Sequence, residues 1–350
     1  MTNELFVILL TFTFAVLYRW AFRVLPREQW QIIAAVPKVK TEKGEWHGLN
    51  LTFYGFFQAT SNTIAVMIAF VLLGSIGVTI KTVLVLTVVL FALCWPASKL
   101  IARAVEGKKH TFTIGGALFV GVLTAPWIIE GLNRTLGEVL GERILVIPGL
   151  AALAIAYTFG EGLGRLACIS FGCCYGKRLD RLPNSVRWIF AKLNFTFSGA
   201  TKKVSYEGHL EGVRVAPIQA VTAVLLTATG LFGTYLFLKG YFGTALVMTI
   251  VVTQIWRFLS ETLRADVRGN ASVISAYQVM ALLMIAYGLF IAFVFSGAPA
   301  SPQINAGLAL MWDPVVLVFC EALWLAVFLI TGRSMVTGSV LSFFVHRDRI

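Results

Sequence analysis

Residues 161–176 carry the most reactive side chains of the chain at close spacing: Glu161, Arg165, Cys168, Cys173 and Cys174, set among Gly160, Gly162, Gly164, Gly172 and Gly176. They close an apolar run that begins near Ile144. On a helix, Glu161, Arg165, Cys168 and Gly172 share one stripe. A guanidinium near membrane depth is expensive unless it faces a partner, a wet cavity or an anion. Two readings follow. Arg165 binds a phosphate through its planar fork while Glu161 holds its orientation, or the two residues form a structural pair that neutralises itself. The three cysteines divide between a nucleophile whose thiolate Arg165 favours, metal ligands, and small packing residues. Structural metal sites draw on separated ligand pairs. No histidine lies nearby in sequence, so neither a metal nor another cofactor is expected.

Arg257, Glu261 and Arg264 follow i, i+4, i+7 spacing at the end of a later apolar run. On one helix face they present two cations flanking a carboxylate. The same pattern suits a solvated helix end or a second half of an anion clamp facing Arg165 across the bundle. Gly160, Gly162 and Gly164 do not form a dinucleotide loop, because they follow an apolar span instead of a strand. Close helix packing or a backbone kink is the better reading, and Gly115 and Gly116 admit the same one. Glu321 is a lone carboxylate in the last apolar run and receives no role. The five cysteines, Cys94 and Cys320 included, are an odd count without secreted-disulfide spacing.

The elements that must position these side chains are membrane helices. The 350 residues are 58% hydrophobic and 13% charged, whereas a soluble domain averages about 45–50% and about 25%. A span needs about 20 mainly apolar residues. Candidates fall at 5–22, 52–74, 82–99, 113–129, 145–168, 216–238, 241–260, 272–295 and 313–331. The fold expected is an all-α polytopic bundle of about nine transmembrane helices, with a small interfacial cap at 177–215 between the fifth and sixth. Arg19, Trp20 and Arg23 read as interfacial anchors of a retained first helix, not as the flank of a cleaved signal. The net charge of +12 resides in loops that would meet anionic headgroups, so nucleic acid is not an expected partner. Lysines and arginines in alternate loops divide 22 to 4 in favour of the face that carries 177–215 and the tail after Gly332. By the positive-inside rule that face is cytoplasmic.

The stretch Gly164-Arg165-Leu166-Ala167-Cys168, with Gly172, Cys173 and Gly176 after it, is similar to the signature Gly-Arg-x-Gly-Asn-Phe-x-Asn-Gly-Glu-x-x-Gly of the prolipoprotein diacylglyceryl transferase family. The chain resembles that family's cysteine-rich relatives in particular. The family's Arg-x-x-x-Glu-x-x-Arg block looks like Arg257, Glu261 and Arg264, followed by Asp266; its Tyr-Gly looks like Tyr54 and Gly55, and its Gly-Gly pair like Gly115 and Gly116. A His-Pro-x-Gln block matches at Pro217 and Gln219, and a late glutamine at Gln278. The resemblance covers about 46–296, leaving 1–45 as an additional N-terminal helix with a basic loop and 297–350 as an additional C-terminal helix with a basic tail.

The resemblance implies a bacterial inner-membrane enzyme that moves the diacylglyceryl group of phosphatidylglycerol, or a similar anionic phospholipid, onto a cysteine thiol of a lipoprotein precursor signal peptide, with glycerol phosphate leaving. It implies that Arg165 and Arg257 handle the phosphate and that the bundle opens sideways to lipid. Cys173, standing at the family's glutamate, is the cysteine to which it points. Tyr54, Gly115, Gly116, Glu161, Gly164, Cys168, Gly172, Cys174, Gly176, Glu261 and Arg264 would line the substrate site. Two departures bear on the chemistry. The family's histidine before the Gly-Gly pair is Ile114 here, with His110 four residues upstream, and Cys168 replaces the signature's asparagine. The family works on the outer face, while loop charge places these motifs inside. A lipid transferase with a cytoplasmic-face acceptor, and a non-catalytic phospholipid-binding or transport protein, are the other two readings.

Overall fold

A computed structural model describes residues 1–107, 113–135, 137–140, 143–266, 274–295 and 300–350, the side chains at 138 and 140 excepted. His110 lies outside the described residues. The chain is a multi-pass membrane protein: among the described residues nine helices are long and apolar enough to cross a bilayer. They are α1 (Asn3–Val24), α2 (Phe53–Ser75), α3 (Ile80–Glu106), α4 (Ile114–Thr135), α6 (Val146–Phe171), α9 (Ile218–Leu238), α10 (Phe242–Leu263), α11 (Ala276–Val294) and α13 (Pro314–Thr331). Among the described residues there are also short helices α5 (Gly137–Leu140), α7 (Asn184–Lys192), α8 (Lys203–Tyr206) and α12 (Ile304–Leu310). α3 and α4 run several residues past their apolar stretches. An apolar run stops at Lys99 or before Glu130, but the backbone goes on pairing with itself into the polar interface.

α6 is the axis of the bundle. Its spanning window is 72% buried within the protein, against 22% for α1 and α3 and 17% for α13. α2, α9 and α10 pack around it. Small residues permit that closeness. A Cβ at Gly160 would stand 2.9 Å from Cβ of Ala65 on α2, and one at Gly162 would stand 2.7 Å from Oγ1 of Thr227 on α9.

The basic loop and tail expected from the sequence contribute strands to one sheet. β1 (Ile32–Lys40), β2 (Trp46–Thr52) and β5 (Arg333–Leu341) pair antiparallel in the order β1-β2-β5. Oγ1 of Thr52 caps α2 by accepting from the Gly55 N–H. The same hydroxyl donates to the Gly332 carbonyl at 3.1 Å. The two glycines cross so closely there that a Cβ on Gly55 would lie 2.1 Å from the Gly332 Cα.

Residues 177–215 hold α7, α8 and a two-stranded sheet of β3 (Phe195–Thr196) and β4 (Arg214–Val215). Lys202 is fully buried, and its Nζ donates to the carbonyls of Ser170 (2.5 Å) and Leu25 (3.2 Å), tying this segment to the C-terminal end of α6. Burial pushes that ammonium down to about 8.

Candidate functional site

The α6 stripe reads Tyr157, Glu161, Arg165, Cys168. Glu161 lies about three turns before the end of the helix at Phe171. Its carboxylate is the hub of a buried network. Nη2 of Arg257, from α10, donates to Oε1 at 2.6 Å and to Oε2 at 2.7 Å. Nη2 of Arg165 donates to Oε1, and the Tyr157 hydroxyl donates to Oε2 at 2.5 Å. The Tyr157 oxygen in turn accepts from Arg257 Nη2 at 3.0 Å.

Two guanidiniums thus share one carboxylate, and the trio keeps one net positive charge. This differs from the self-neutralising Glu161–Arg165 pair. Nε of Arg165 is buried and has no acceptor among the described residues. An unsatisfied buried donor costs about 1–3 kcal/mol, more when charged, so the arrangement favours an arriving anion.

Gly115, at the first turn of α4, belongs to this region. A Cβ there would stand 3.0 Å from Nη1 of Arg257 and 3.1 Å from the Tyr277 ring, so its lack of a side chain leaves room for the guanidinium. Gly116 does not face the site, contrary to the expectation for the pair. Its Cβ would meet Cβ of Ile101 at 2.7 Å, which makes it a contact between α3 and α4. Gly164 faces α2, at ordinary distance from Ser61.

The arginine block also divides. α10 ends at Leu263, so Arg264 leaves the helical face that the spacing assigned to it and adopts extended backbone. It pairs with Asp266 through two bonds, Nε to Oδ1 at 2.8 Å and Nη2 to Oδ2 at 2.7 Å. Its backbone bridges Gly176, with Lys177 N–H on the Leu263 carbonyl and Ala265 N–H on the Tyr175 carbonyl, both at 3.0 Å. Glu261 is half-buried on α10, and the carboxylate that Arg257 grips comes from α6 instead.

The signature loop is held from several sides. Gly172 ends α6 in the left-handed region at φ 74°, a common way for a helix to stop. The Gly172 and Cys173 amides return to the Cys168 carbonyl at 2.9 and 3.1 Å. Cys174 is also left-handed, at φ 56°, an uncommon state for a residue with a Cβ. Gln219 Nε2 donates to the Cys173 carbonyl at 2.9 Å. Gly176 passes so near the Ala216 carbonyl that a Cβ would be 2.4 Å from its oxygen. The result is a knot of sulfur: the Sγ atoms of Cys168, Cys173 and Cys174 lie within 4.8 Å of one another. Tyr54 stacks edge-on against Phe171, with ring centroids 5.7 Å apart, within electrostatic range of all three cysteines and Arg165. Hydrogen bonding with Cys168 and with Cys174, together with burial, holds the Cys173 thiol well above its usual range.

Three participants carried weak or no sequence signals. Tyr157 stands one turn before Glu161 on the same stripe, and that spacing was the available clue. Gln219 showed only as a weak block match, and Asp266 only as the residue after the arginine block. An apolar cavity of about 330 Å³, lined by Leu17, Trp20, Trp30, Phe57, Leu163 and Leu166 among others, lies on another side of α6. Leu163, two residues from both Glu161 and Arg165, points about 160° away from each at about 100° per residue.

No protein-family model matches the chain. The phosphatidylglycerol–prolipoprotein diacylglyceryl transferase of Clostridium tetani is 26% identical over 181 residues, 51% of this chain and 62% of that protein. The phosphatidylglycerol–prolipoprotein diacylglyceryl transferase 2 of Clostridium perfringens is 27% identical over 179 residues, 51% of this chain and 58% of that protein. The chain therefore spans less than two thirds of the length of the curated relatives it matches. It is a distant relative of the prolipoprotein diacylglyceryl transferases.

Proposed function

We propose that this chain is an inner-membrane transferase that takes a diacylglyceryl group from an anionic glycerophospholipid, phosphatidylglycerol by analogy with the named relatives, and places it on an acceptor thiol. The observation that carries the reading is the pair of guanidiniums from α6 and α10 converging on one carboxylate, with Arg165 Nε buried and unpartnered among the described residues. In the reaction a thiolate sulfur attacks the glyceryl carbon bonded to the phosphate ester oxygen. The C–S bond forms, the C–O bond breaks, and its electron pair departs on glycerol phosphate. Charge grows on that phosphate, and preorganised donors aimed at it lower the barrier most. Arg165 and Arg257 supply the donors, while Glu161 and Tyr157 are positioning residues that hold two like charges side by side.

The experiment is turnover by detergent-purified protein with phosphatidylglycerol labelled in its headgroup glycerol, with and without a lipoprotein signal peptide. Release of labelled glycerol phosphate only with the peptide supports a lipoprotein acceptor. Lipid binding without release under either condition would show a non-catalytic phospholipid-binding protein. A second reading, transfer to a thiol on the cytoplasmic face, is favoured by the 22-to-4 division of loop cations.

A further inference from the structure

We propose that Cys168, Cys173 and Cys174 form a zinc site, three thiolates with the fourth position open to the acceptor thiol. The zinc site stands on the sulfur geometry alone, whereas the role of its fourth position rests on the transferase reading above.

Tetrahedral zinc with Zn–S bonds of about 2.3 Å places its sulfurs about 3.8 Å apart. The three Sγ atoms already lie within 4.8 Å of one another, so small rotations about Cα–Cβ close the site. Packing alone does not require the backbone seen here. A left-handed glycine, a left-handed Cys174 and a Gln219 side chain clamped on the Cys173 carbonyl are what fold two consecutive cysteines back over Cys168. Unfavourable backbone states persist where the surroundings impose them, and they cluster at functional sites.

Charge points the same way. Arg165 lies within electrostatic range of Cys168 and Cys174, and Arg264 of Cys174. Three thiols binding Zn²⁺ release three protons to water and leave a centre of net charge −1, which those guanidiniums stabilise. Cys168 is buried while Cys173 and Cys174 are half-buried, which makes the loop side the more open approach to the fourth position. The reaction needs an acceptor thiolate, and the carboxylates Glu161 and Asp266 are each committed to arginines. An acceptor thiol that takes the fourth position loses its proton to water and becomes a zinc thiolate, a nucleophile at neutral pH. Its sulfur then forms the C–S bond as above, and the thioether product leaves the metal.

The test is the metal content of full-length protein purified in detergent, and the absorption spectrum after Co²⁺ replaces zinc. The expectation is about one zinc per chain with a sulfur-to-cobalt charge-transfer band. Both should fall at least tenfold in Cys168→Ser, Cys173→Ser and Cys174→Ser, and persist in Cys94→Ser and Cys320→Ser. Wild-type protein holding no more zinc than the triple serine variant, and giving no charge-transfer band, overturns the site. Adding N-acetylcysteine methyl ester to the cobalt form should strengthen the band by about one third, as three Co–S bonds become four; an unchanged band overturns the role of the fourth position. Zinc retained without glycerol phosphate release removes the transferase reading and leaves the metal site standing. Undiminished release by the triple serine variant overturns the metal's part in activation and leaves the transferase reading intact.

Discussion

At the residue scale the central fact is that one carboxylate serves two arginines. Arg165→Ala and Arg257→Ala each leave Glu161 with one guanidinium, so the protein should still insert and accumulate. Glycerol phosphate release should fall by about 10²–10³-fold, the usual loss for a donor aimed at developing charge. Lysine at either position should rescue poorly, because a point charge cannot reproduce the planar fork. Normal lipid binding and turnover in both alanine variants would remove the shared-anion idea. Glu161→Gln should behave differently. It leaves two buried guanidiniums facing each other, and breaking a buried pair costs about 3–5 kcal/mol. Its melting temperature in detergent should therefore drop below that of either arginine variant, and the opposite order would mean that Glu161 is not the hub.

At the element scale the two glycines at the head of α4 separate function from packing. Gly115→Ala pushes only against the end of Arg257, a flexible side chain, and the Tyr277 ring, so turnover should fall more than melting temperature does. Gly116→Ala drives a methyl group into the branched Cβ of Ile101, so melting temperature should fall first. Assaying both variants for melting and turnover side by side checks the contrast. The 177–215 segment offers another test. Lys202→Met removes the donor to the Ser170 and Leu25 carbonyls, and a buried unsatisfied acceptor costs about 1–3 kcal/mol. Melting temperature should fall and the Gly172–Cys174 turn should loosen. The effect has a pH signature. The buried ammonium releases its proton at about 8, while the unfolded one holds it to 10.5. Between those values the unfolded chain binds more protons, so stability rises with pH. The melting advantage of wild type over Lys202→Met should therefore grow from about pH 8 to 10.5; an advantage that does not change with pH would show Lys202 to be exposed in solution, and one that shrinks would show that the two carbonyls hold the ammonium charged.

At the scale of the whole molecule, the side of the membrane that holds the signature loop decides which acceptor can reach it. Ser198 is exposed in the 177–215 segment, on the same face as that loop. In a background lacking Cys173 and Cys174, Ser198→Cys can be probed with an impermeant thiol reagent in intact and in lysed cells. The 22-to-4 division of loop cations predicts labelling only after lysis, which would make a translocated precursor an unsuitable acceptor. Labelling in intact cells would place the loop outside, as the family resemblance implies, and would favour lipoprotein modification.

The nine helices long and apolar enough to span among the described residues were readable from the sequence because a helix in lipid satisfies its own backbone and its apolar length is a local sum. The stripe Glu161, Arg165, Cys168 was readable for a similar reason, since residues three and four apart on a helix are neighbours. What crosses between elements was not legible in this way. Glu161 takes Arg257 from 96 positions away, Gln219 reaches the Cys173 carbonyl over 46, and β5 joins β2 from the far end of the chain. Helical spacing put Arg257, Glu261 and Arg264 on one face, yet α10 stops at Leu263, and the bridge between Gly176 and Arg264 redirects the second arginine to Asp266. Composition and local periodicity determined which segments span the membrane and which side chains share a helical stripe. Only the packing of α6 against α10 decided which charges meet, because a partner is chosen by proximity across the bundle and not by spacing along one helix.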